Sequence, residues 1–273
     1  MKNILLPTDF SKNAEKALDL ALALARKFDA ALHIIHTYHV TSHAGHLANV
    51  SRVIKEDREK EMQEFIESIK ANLTTEVEVT GRCRKGYPVE VIEAEANKVS
   101  ADLIIMGTLG ASNLGKKLMG STASNLIKNT KFPVLAVPKD THYSDLNNVV
   151  VAIDALTMTV MDTLNPMIDI AQQSKLDIDL VHVSSQQLHT DIDPTIKEYL
   201  NKLAINHSYT KIQSDDLLNS ILDFAHEKGN SILCLVSRQR NWFENLFHSS
   251  ISQQIALKSD LPLLVLQEED SAS

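Results

Sequence analysis

Short, almost wholly apolar runs alternate along this chain with longer segments in which apolar residues recur every three or four positions. Runs rich in Val, Ile and Leu are typical of strands buried on both faces, whereas the longer spacing is typical of amphipathic helices. The clearest helical pattern lies between Ser11 and Phe28, and its apolar face comprises Ala14, Leu18, Ala21, Leu22 and Ala25. The alternation predicts an α/β protein whose parallel sheet is covered by helices on both sides.

The same order of elements occurs twice. The first predicted strand and its end, NILLPTDFS at Asn3–Ser11, are repeated as NVVVAIDALT at Asn148–Thr157. Likewise, LHIIHT at Leu32–Thr37 is repeated as IDLVHV at Ile178–Val183, and the offset is 145 or 146 residues. Later in each unit, KFPVLAVP matches DLPLLVLQ at an offset of only 129. The second unit has therefore lost about sixteen residues between its second strand and its third helix, a deletion that a surface segment tolerates.

We predict that each unit is a doubly wound parallel-sheet domain, one spanning residues 1–140 and the other residues 147–268. Ligands of such sheets bind outside the carboxyl ends of the strands, where the strand order reverses. Asp9, Thr37 and the pair Met106-Gly107 all lie at predicted strand ends in the first unit. A ligand crevice is therefore expected at these residues.

Composition narrows the classes of partner. The 273 residues carry a net charge of -8, and no run of Lys and Arg forms a stripe for a nucleic-acid backbone. No stretch approaches the roughly 20 apolar residues that a membrane span requires. Cys83 and Cys234 lie far apart and outside any C-x-x-C motif, so neither a disulfide framework nor a cysteine metal site is predicted. We expect a cytoplasmic protein that binds neither nucleic acid nor membrane.

Glycine is concentrated in one loop. Four of the eight glycines fall within fourteen positions of MGTLGASNLGKKLMGST, Met106–Thr122, and STASNLIKNT then begins a predicted helix. Amides near Gly120 and the positive end of the helix dipole suit a phosphate. Lys116 and Lys117 could attract it further or simply be solvated. The loop has neither the Walker A nor the G-x-G-x-x-G spacing, so the residue functions of those loops cannot be assigned.

Three features together resemble the universal stress protein family in its tandem form: the spacing G-2x-G-9x-G-[ST] after IIMG, a first strand ending in PTD, and a late FPVLAVP strand. The resemblance covers essentially the whole chain. It implies Rossmann-like, adenine nucleotide alpha hydrolase-like domains and a stress-response setting. The implied ligand is ATP, with ADP and AMP as alternatives and Mg²⁺ as an option on the phosphates.

The resemblance also implies which residues of the first unit bind the nucleotide. Those bordering adenine and ribose are Pro7, Thr8 and Asp9, with Asp9 accepting hydrogen bonds from the ribose hydroxyls. Main-chain groups at Thr37 would contact the base. Residues along the ribose and phosphates are Met106, Gly107 and Gly110. The phosphates would be cradled by Gly120, Ser121, Thr122 and Ala123.

The second unit departs from this pattern. Aligned on the late strand, the three signature glycines are replaced by Val236, Gln239 and Ser249, although Asp154 is retained at the first strand end. The aromatic residues of the intervening loop are Trp242, Phe243 and Phe247. We predict that this unit does not bind ATP and instead acts as a built-in partner.

The resemblance implies how the two units meet. Family dimers pair through their last strands, so Val134–Val137 and Leu263–Leu266 are the expected meeting edges of an intramolecular pseudo-dimer. Pairing would also protect two otherwise exposed strand edges. Whether such pseudo-dimers associate further into a homodimer is left open.

Four histidines at spacings of three, four and three occupy HTYHVTSHAGH, namely His36, His39, His43 and His46. On one continuous helix they would share a face and could bind zinc. However, His36 ends a predicted strand and Gly45 disfavours a helix. A solvated or phosphate-facing cluster is the favoured interpretation, with metal binding as the alternative.

Catalytic motifs are not found: the chain has no G-x-S-x-G elbow and no H-E-x-x-H pair. We therefore expect an adenine-nucleotide-binding sensor or regulatory module with an unidentified protein partner. One alternative is a weak ATP hydrolase that uses the same pocket. Another is an interaction scaffold in which the aromatic loop or the histidines make the contact.

The charged segment from Arg52 to Leu73 is interpreted as an amphipathic helix with a solvated face.

Overall fold

The structure is a computed structural model that describes residues 1–39, 47–73, 76–108, 119–153, 163–185, 194–237 and 261–267. Its strands are β1 Asn3–Thr8, β2 Ala31–Tyr38, β3 Val79–Lys85, β4 Leu103–Gly107, β5 Val134–Val137, β6 Asn148–Ala152, β7 Asp177–Ser184, β8 His207–Gln213, β9 Ser231–Ser237 and β10 Leu263–Gln267. Its helices are α1 Lys12–Phe28, α2 Leu47–Asn72, α3 Pro88–Val99, α4 Ser121–Asn129, α5 Asn165–Ser174, α6 Pro194–Lys202 and α7 Leu217–Glu227.

The strands form one sheet in the order β3-β2-β1-β4-β5-β10-β9-β6-β7-β8. Each half therefore has the same doubly wound order, and neighbouring strands within a half are parallel. The halves meet where β5 and β10 pair in antiparallel fashion, with Leu135 opposite Leu264. The predicted fold class and the predicted meeting edges are confirmed. Among the described helices, none combines the length and the apolar composition needed to cross a bilayer.

The strand register reproduces the offsets of the internal repeat. Ile4 pairs with Leu103 in the first half, and Val149 pairs with Ile232 in the second. The missing residues fall in the second helix of the repeat, because α2 has 26 residues and its counterpart α6 has 9.

The outer strands β3 and β8 differ at one register position beside these helices. A Cβ atom placed on Gly81 of β3 would lie 2.3 Å from Ile66 Cδ1 and 2.5 Å from Met62 Sδ, so α2 packs directly on this glycine. Tyr209 takes the same register position in β8. Tyr209 is partly buried against the same apolar layer that contains Met62 and Ile66 of α2.

Two apolar layers cover the sheet and run through both halves. One layer joins Ile4 and Leu6 to Val149 and Leu264, while the other joins Leu5 to Val150. Within α1 the buried face is wider than the predicted stripe, because Ala17, Leu20 and Leu24 are buried as well, whereas Leu22 is only partly buried. The continuous core makes each half a support for the other.

Candidate functional site

The order of strands reverses at β1, which lies between β2 and β4. A cavity of about 250 Å³ opens there, at the carboxyl ends of the strands. The predicted residues that line it are Pro7, Thr8, Asp9, Thr37, Met106, Gly107, Gly120, Ser121, Thr122 and Ala123. The structure thus brings ten of the eleven predicted positions to one cavity, while Gly110 lies outside the described residues.

The turn after β1 is fixed by its own side chains. The backbone N–H of Phe10 donates to Thr8 Oγ1 at 3.1 Å, and that of Ser11 donates to Asp9 Oδ1 at 3.1 Å. Ser11 caps α1, since its Oγ accepts from the Ala14 N–H at 3.3 Å. These bonds hold the Asp9 carboxylate at the mouth of the cavity, although its side chain remains exposed to solvent.

The N-terminus of α4 forms the opposite wall. Gly120 is the buried N-cap residue, and its N–H donates to Thr108 O at 2.6 Å while its carbonyl accepts from the Ser124 N–H at 3.0 Å. An α-helix leaves its first N–H groups without acceptors inside the helix, and Gly120 has no side chain to cap them. Together with the helix dipole, these amides favour an anion at Ser121–Ala123.

The remaining wall is apolar. Ile35 of β2, Ile92 of α3 and Met106 of β4 line the cavity and are at most 5% exposed. A flat aromatic ring is well accommodated by such a wall, because ligand pockets combine apolar walls with a few placed polar groups. Sequence reasoning missed the cavity residues Ala14, Ile35, Pro88, Ile92 and Thr108. Only the proline that begins α3 carried a local signal, since the isoleucines are indistinguishable from core residues in a sequence.

Two of the four histidines, His36 and His39, lie in the described part of the chain, and they make different contacts. His36 lies in β2, is 8% exposed and donates from Nδ1 to Thr8 O at 2.9 Å, so its predicted place in a strand is confirmed. His39 instead lies with its ring 5.1 Å from that of Tyr87. His43 and His46 fall outside the described residues. Among the described residues, no three His, Cys, Asp or Glu side chains are grouped to hold a metal ion.

The second half has different residues at the equivalent strand ends. By register, Ile153, Val183 and Val236 occupy the positions of Thr8, Thr37 and Gly107. Ile153 and Val183 are at most 9% exposed, and Val236 is partly buried. The other residues singled out in this unit lie outside the described residues, namely Asp154, Gln239, Trp242, Phe243, Phe247 and Ser249.

At the opposite, amino-terminal end of the strands, each half has a polar cluster at one register position. His33 Nε2 donates to Asn3 Oδ1 at 3.2 Å, and Nδ1 is hydrogen-bonded to Thr80 Oγ1 at 2.9 Å. Burial lowers the pKa of His33 below its ordinary 6.5, against the opposing effect of nearby carboxylates.

Asp179 occupies the equivalent position in the second half. Burial raises the pKa of this carboxyl, but hydrogen bonds from Lys228, Ser208 and Asn148 outweigh burial and bring the pKa below its ordinary 3.8. In the folded protein, His33 is therefore favoured in its neutral form and Asp179 in its ionised form. Neither residue lines the cavity.

Comparison with known proteins identifies this fold. The model of the universal stress protein family matches residues 1–138. The chain belongs to the universal stress protein family. A universal stress protein of Methanocaldococcus jannaschii is 36% identical over 141 residues, which span 50% of this chain and 82% of that protein. A second one from the same organism is 32% identical over 154 residues, covering 50% of this chain and 95% of its own length.

The tandem architecture also has a solved counterpart. The crystal structure of a universal stress protein from Archaeoglobus fulgidus matches 99% of this chain and 97% of its own, with a TM-score of 0.76 and 21% identity. At this level of identity the likeness concerns the fold, which is therefore shared along both halves of the chain.

Proposed function

We propose that this universal stress protein binds one adenine nucleotide per chain, ATP foremost, in the cavity at the carboxyl ends of β1 and β4. The observation that carries the proposal is the convergence of ten motif residues on that cavity, with the N-terminus of α4 on one side and Asp9 on the other. Segments far apart in sequence supply these groups: α4 an anion site, the turn after β1 a carboxylate, and β2, α3 and β4 an apolar wall, which together are what a nucleotide requires.

The residues present fit the parts of ATP. The uncapped first turn of α4 suits the phosphates, Asp9 suits the ribose hydroxyls, and Ile35 with Ile92 forms a wall for the base. Mg²⁺ could accompany the phosphates, held by phosphate oxygens and water more than by protein groups. The chain's own contribution is binding and orientation, and the protein acts as a nucleotide-responsive regulatory module for an unidentified protein partner.

The second half is proposed to be a structural partner without a nucleotide site. Support comes from the strand ends, where two threonines and a glycine of the first half are replaced by Ile153, Val183 and Val236. An aliphatic side chain at the position of Gly107 would lie where the nucleotide must approach the backbone closely. The loss of the hydroxyl groups also removes hydrogen-bonding partners for a polar ligand.

Calorimetric titration of ATP into nucleotide-stripped protein tests both parts of the proposal. One binding site per chain is expected, together with a higher melting temperature, because a ligand at a hundredfold excess over Kd stabilises the folded state by about 2.7 kcal/mol. A stoichiometry of two would overturn the inactive second half, and absence of both heat and thermal shift would overturn nucleotide binding itself. Phosphate release that is lost in Asp9→Ala while binding persists would instead favour the hydrolase.

A further inference from the structure

The residue that follows Asp9 adopts an unusual backbone conformation. Phe10 has φ 58°, in the left-handed region that a bulky side chain rarely occupies. Its ring lies 4.6 Å from that of His36 and meets the Phe65 ring edge-on at 5.3 Å. The strained conformation thus coincides with a three-ring contact directly after Asp9, which itself lines the cavity, and this indicates that surrounding structure holds the turn in place.

The contact joins two separate parts of the molecule. On one side, His36 donates its Nδ1 hydrogen to Thr8 O, the carbonyl at the end of β1. On the other side, Phe65 belongs to α2, whose neighbouring Met62 and Ile66 are buried against β3. The rings therefore form a continuous path of packed groups from the Asp9 turn to the long charged helix.

This path is present in one half only. The repeat places Ala155 at the position of Phe10, and the counterpart of α2 is the nine-residue α6. The second half reaches the same strand order without the path, so the doubly wound fold itself does not require it. A feature confined to the half with the proposed nucleotide cavity is better explained by that cavity than by folding.

We propose that Phe10 and Phe65 are positioning residues that couple the nucleotide turn to α2, so that nucleotide binding tightens the packing of this helix. The inference rests on the proposed nucleotide binding. Coupling of this kind is reciprocal, hence loosening α2 at Phe65 weakens nucleotide binding although Phe65 does not line the cavity. The outer face of α2, with exposed ion pairs such as Lys60–Glu64, is then the surface on which occupancy is displayed.

Calorimetry with ATP on Phe10→Leu, Phe65→Leu and the double variant tests the coupling. Each single variant is expected to weaken binding about three- to tenfold, the size of an aromatic pair interaction, and the double variant should be no weaker than the worse single one. Phe28→Leu is the matched control, because Phe28 packs partly buried on the same apolar layer at the far end of α1. It should bind as the parent does. Parent-like binding by Phe65→Leu would overturn the coupling.

Hydrogen exchange of the α2 amides, with and without ATP, gives a readout that a purely structural contact would not change. ATP should slow exchange across residues 58–70 in the parent and in Phe28→Leu, and much less in Phe65→Leu at saturating ATP. Equal protection in all three proteins would refute the coupling while leaving nucleotide binding intact. Failure of the parent to bind ATP would refute the proposed function and the coupling with it.

Discussion

The two halves of this molecule share a strand order and a register but differ at the carboxyl ends of the strands. Thr8, Thr37 and Gly107 surround the cavity of the first half, while the second half has Ile153, Val183 and Val236 at those positions. Five of the six occupy one of the last two positions of a strand, and Ile153 directly follows the end of β6. The comparison teaches that the fold depends on the continuous apolar strands, whereas ligand binding depends on small and polar residues at their ends.

A second difference lies at β3 and β8, the outer strands. Gly81 lets α2 approach β3 closely, and Tyr209 occupies the same register position in β8 of the half with the short α6. One residue of the repeat thus correlates with the length of the covering helix. The first half has a long helix that contacts the turn after β1 through Phe65 and Phe10, whereas the second half has only a nine-residue helix at this place in the repeat.

Substitutions at the seam between the halves, where β5 pairs with β10, should have the largest effect on stability. Leu264→Ala and Leu135→Ala each remove a fully buried side chain at the antiparallel junction, so each should lower the free energy of unfolding by about 2–5 kcal/mol. Because the two leucines face each other across the pseudo-symmetric seam, the two losses should be of similar size. Chemical denaturation measures both. A full loss in one variant with almost none in the other would show that the halves do not support each other equally.

Exchanging residues at the strand ends tests the functional difference directly. Gly107→Val gives the first half the residue of the second, and it should weaken ATP binding by about a hundredfold or more, since a branched side chain blocks the approach of a ligand to the backbone. Val236→Gly is the matched change in the second half and should leave both Kd and stoichiometry unaltered. Calorimetric titration of ATP into each variant measures both Kd and stoichiometry. Strong binding by Gly107→Val would mean that this strand end does not contact the nucleotide.

Gly81→Val should force the buried ends of the Ile66 and Met62 side chains to move and so loosen the packing of α2 on β3. Even the first carbon of the new side chain would lie 2.3 Å from Ile66 Cδ1, and overpacking of this kind costs about 1–3 kcal/mol of unfolding free energy. Gly81→Ala provides a graded control with a smaller expected loss. Denaturation curves measure the loss of unfolding free energy. Relative to the parent, hydrogen exchange in Gly81→Val should accelerate more in α2 than in α1. Unchanged stability in Gly81→Val would contradict direct packing of α2 on this glycine.

The smallest effect concerns acid stability. A folded-state pKa of His33 below 6.5 means that the unfolded chain takes up a proton first, so this contribution is complete above pH 6.5 and is lost as the pH falls through the folded pKa. Asp179 behaves in the same sense, but its window begins only below its ordinary 3.8. Denaturation between pH 7.5 and 5 should therefore show a steeper loss for the parent than for His33→Gln. If the parent and His33→Gln lose stability equally over this pH range, His33 is excluded as the cause of the loss.

Much of the fold could be predicted because the spacing of apolar residues along the chain indicates its strands and helices. The apolar runs identified the central strands, the internal repeat identified the two halves, and the resemblance to the universal stress protein family supplied their meeting edges. β3 and β8 lack such runs: Arg82, Arg84 and Lys85 of β3 are exposed or half-buried, as expected of an edge strand. Their strand conformation follows from pairing with β2 and β7, which a local pattern does not contain.

The sequence by itself determined the alternation of elements, the repeat and the position of the glycine loop, because spacing and composition of neighbouring residues express each of these. Only the tertiary structure decided that Ile35 and Ile92 share a cavity wall, and that Phe10 meets His36 and Phe65. Such contacts join residues far apart in the chain. They depend on strand register and on how closely a helix can approach the sheet, and these are set by the packing of the whole molecule.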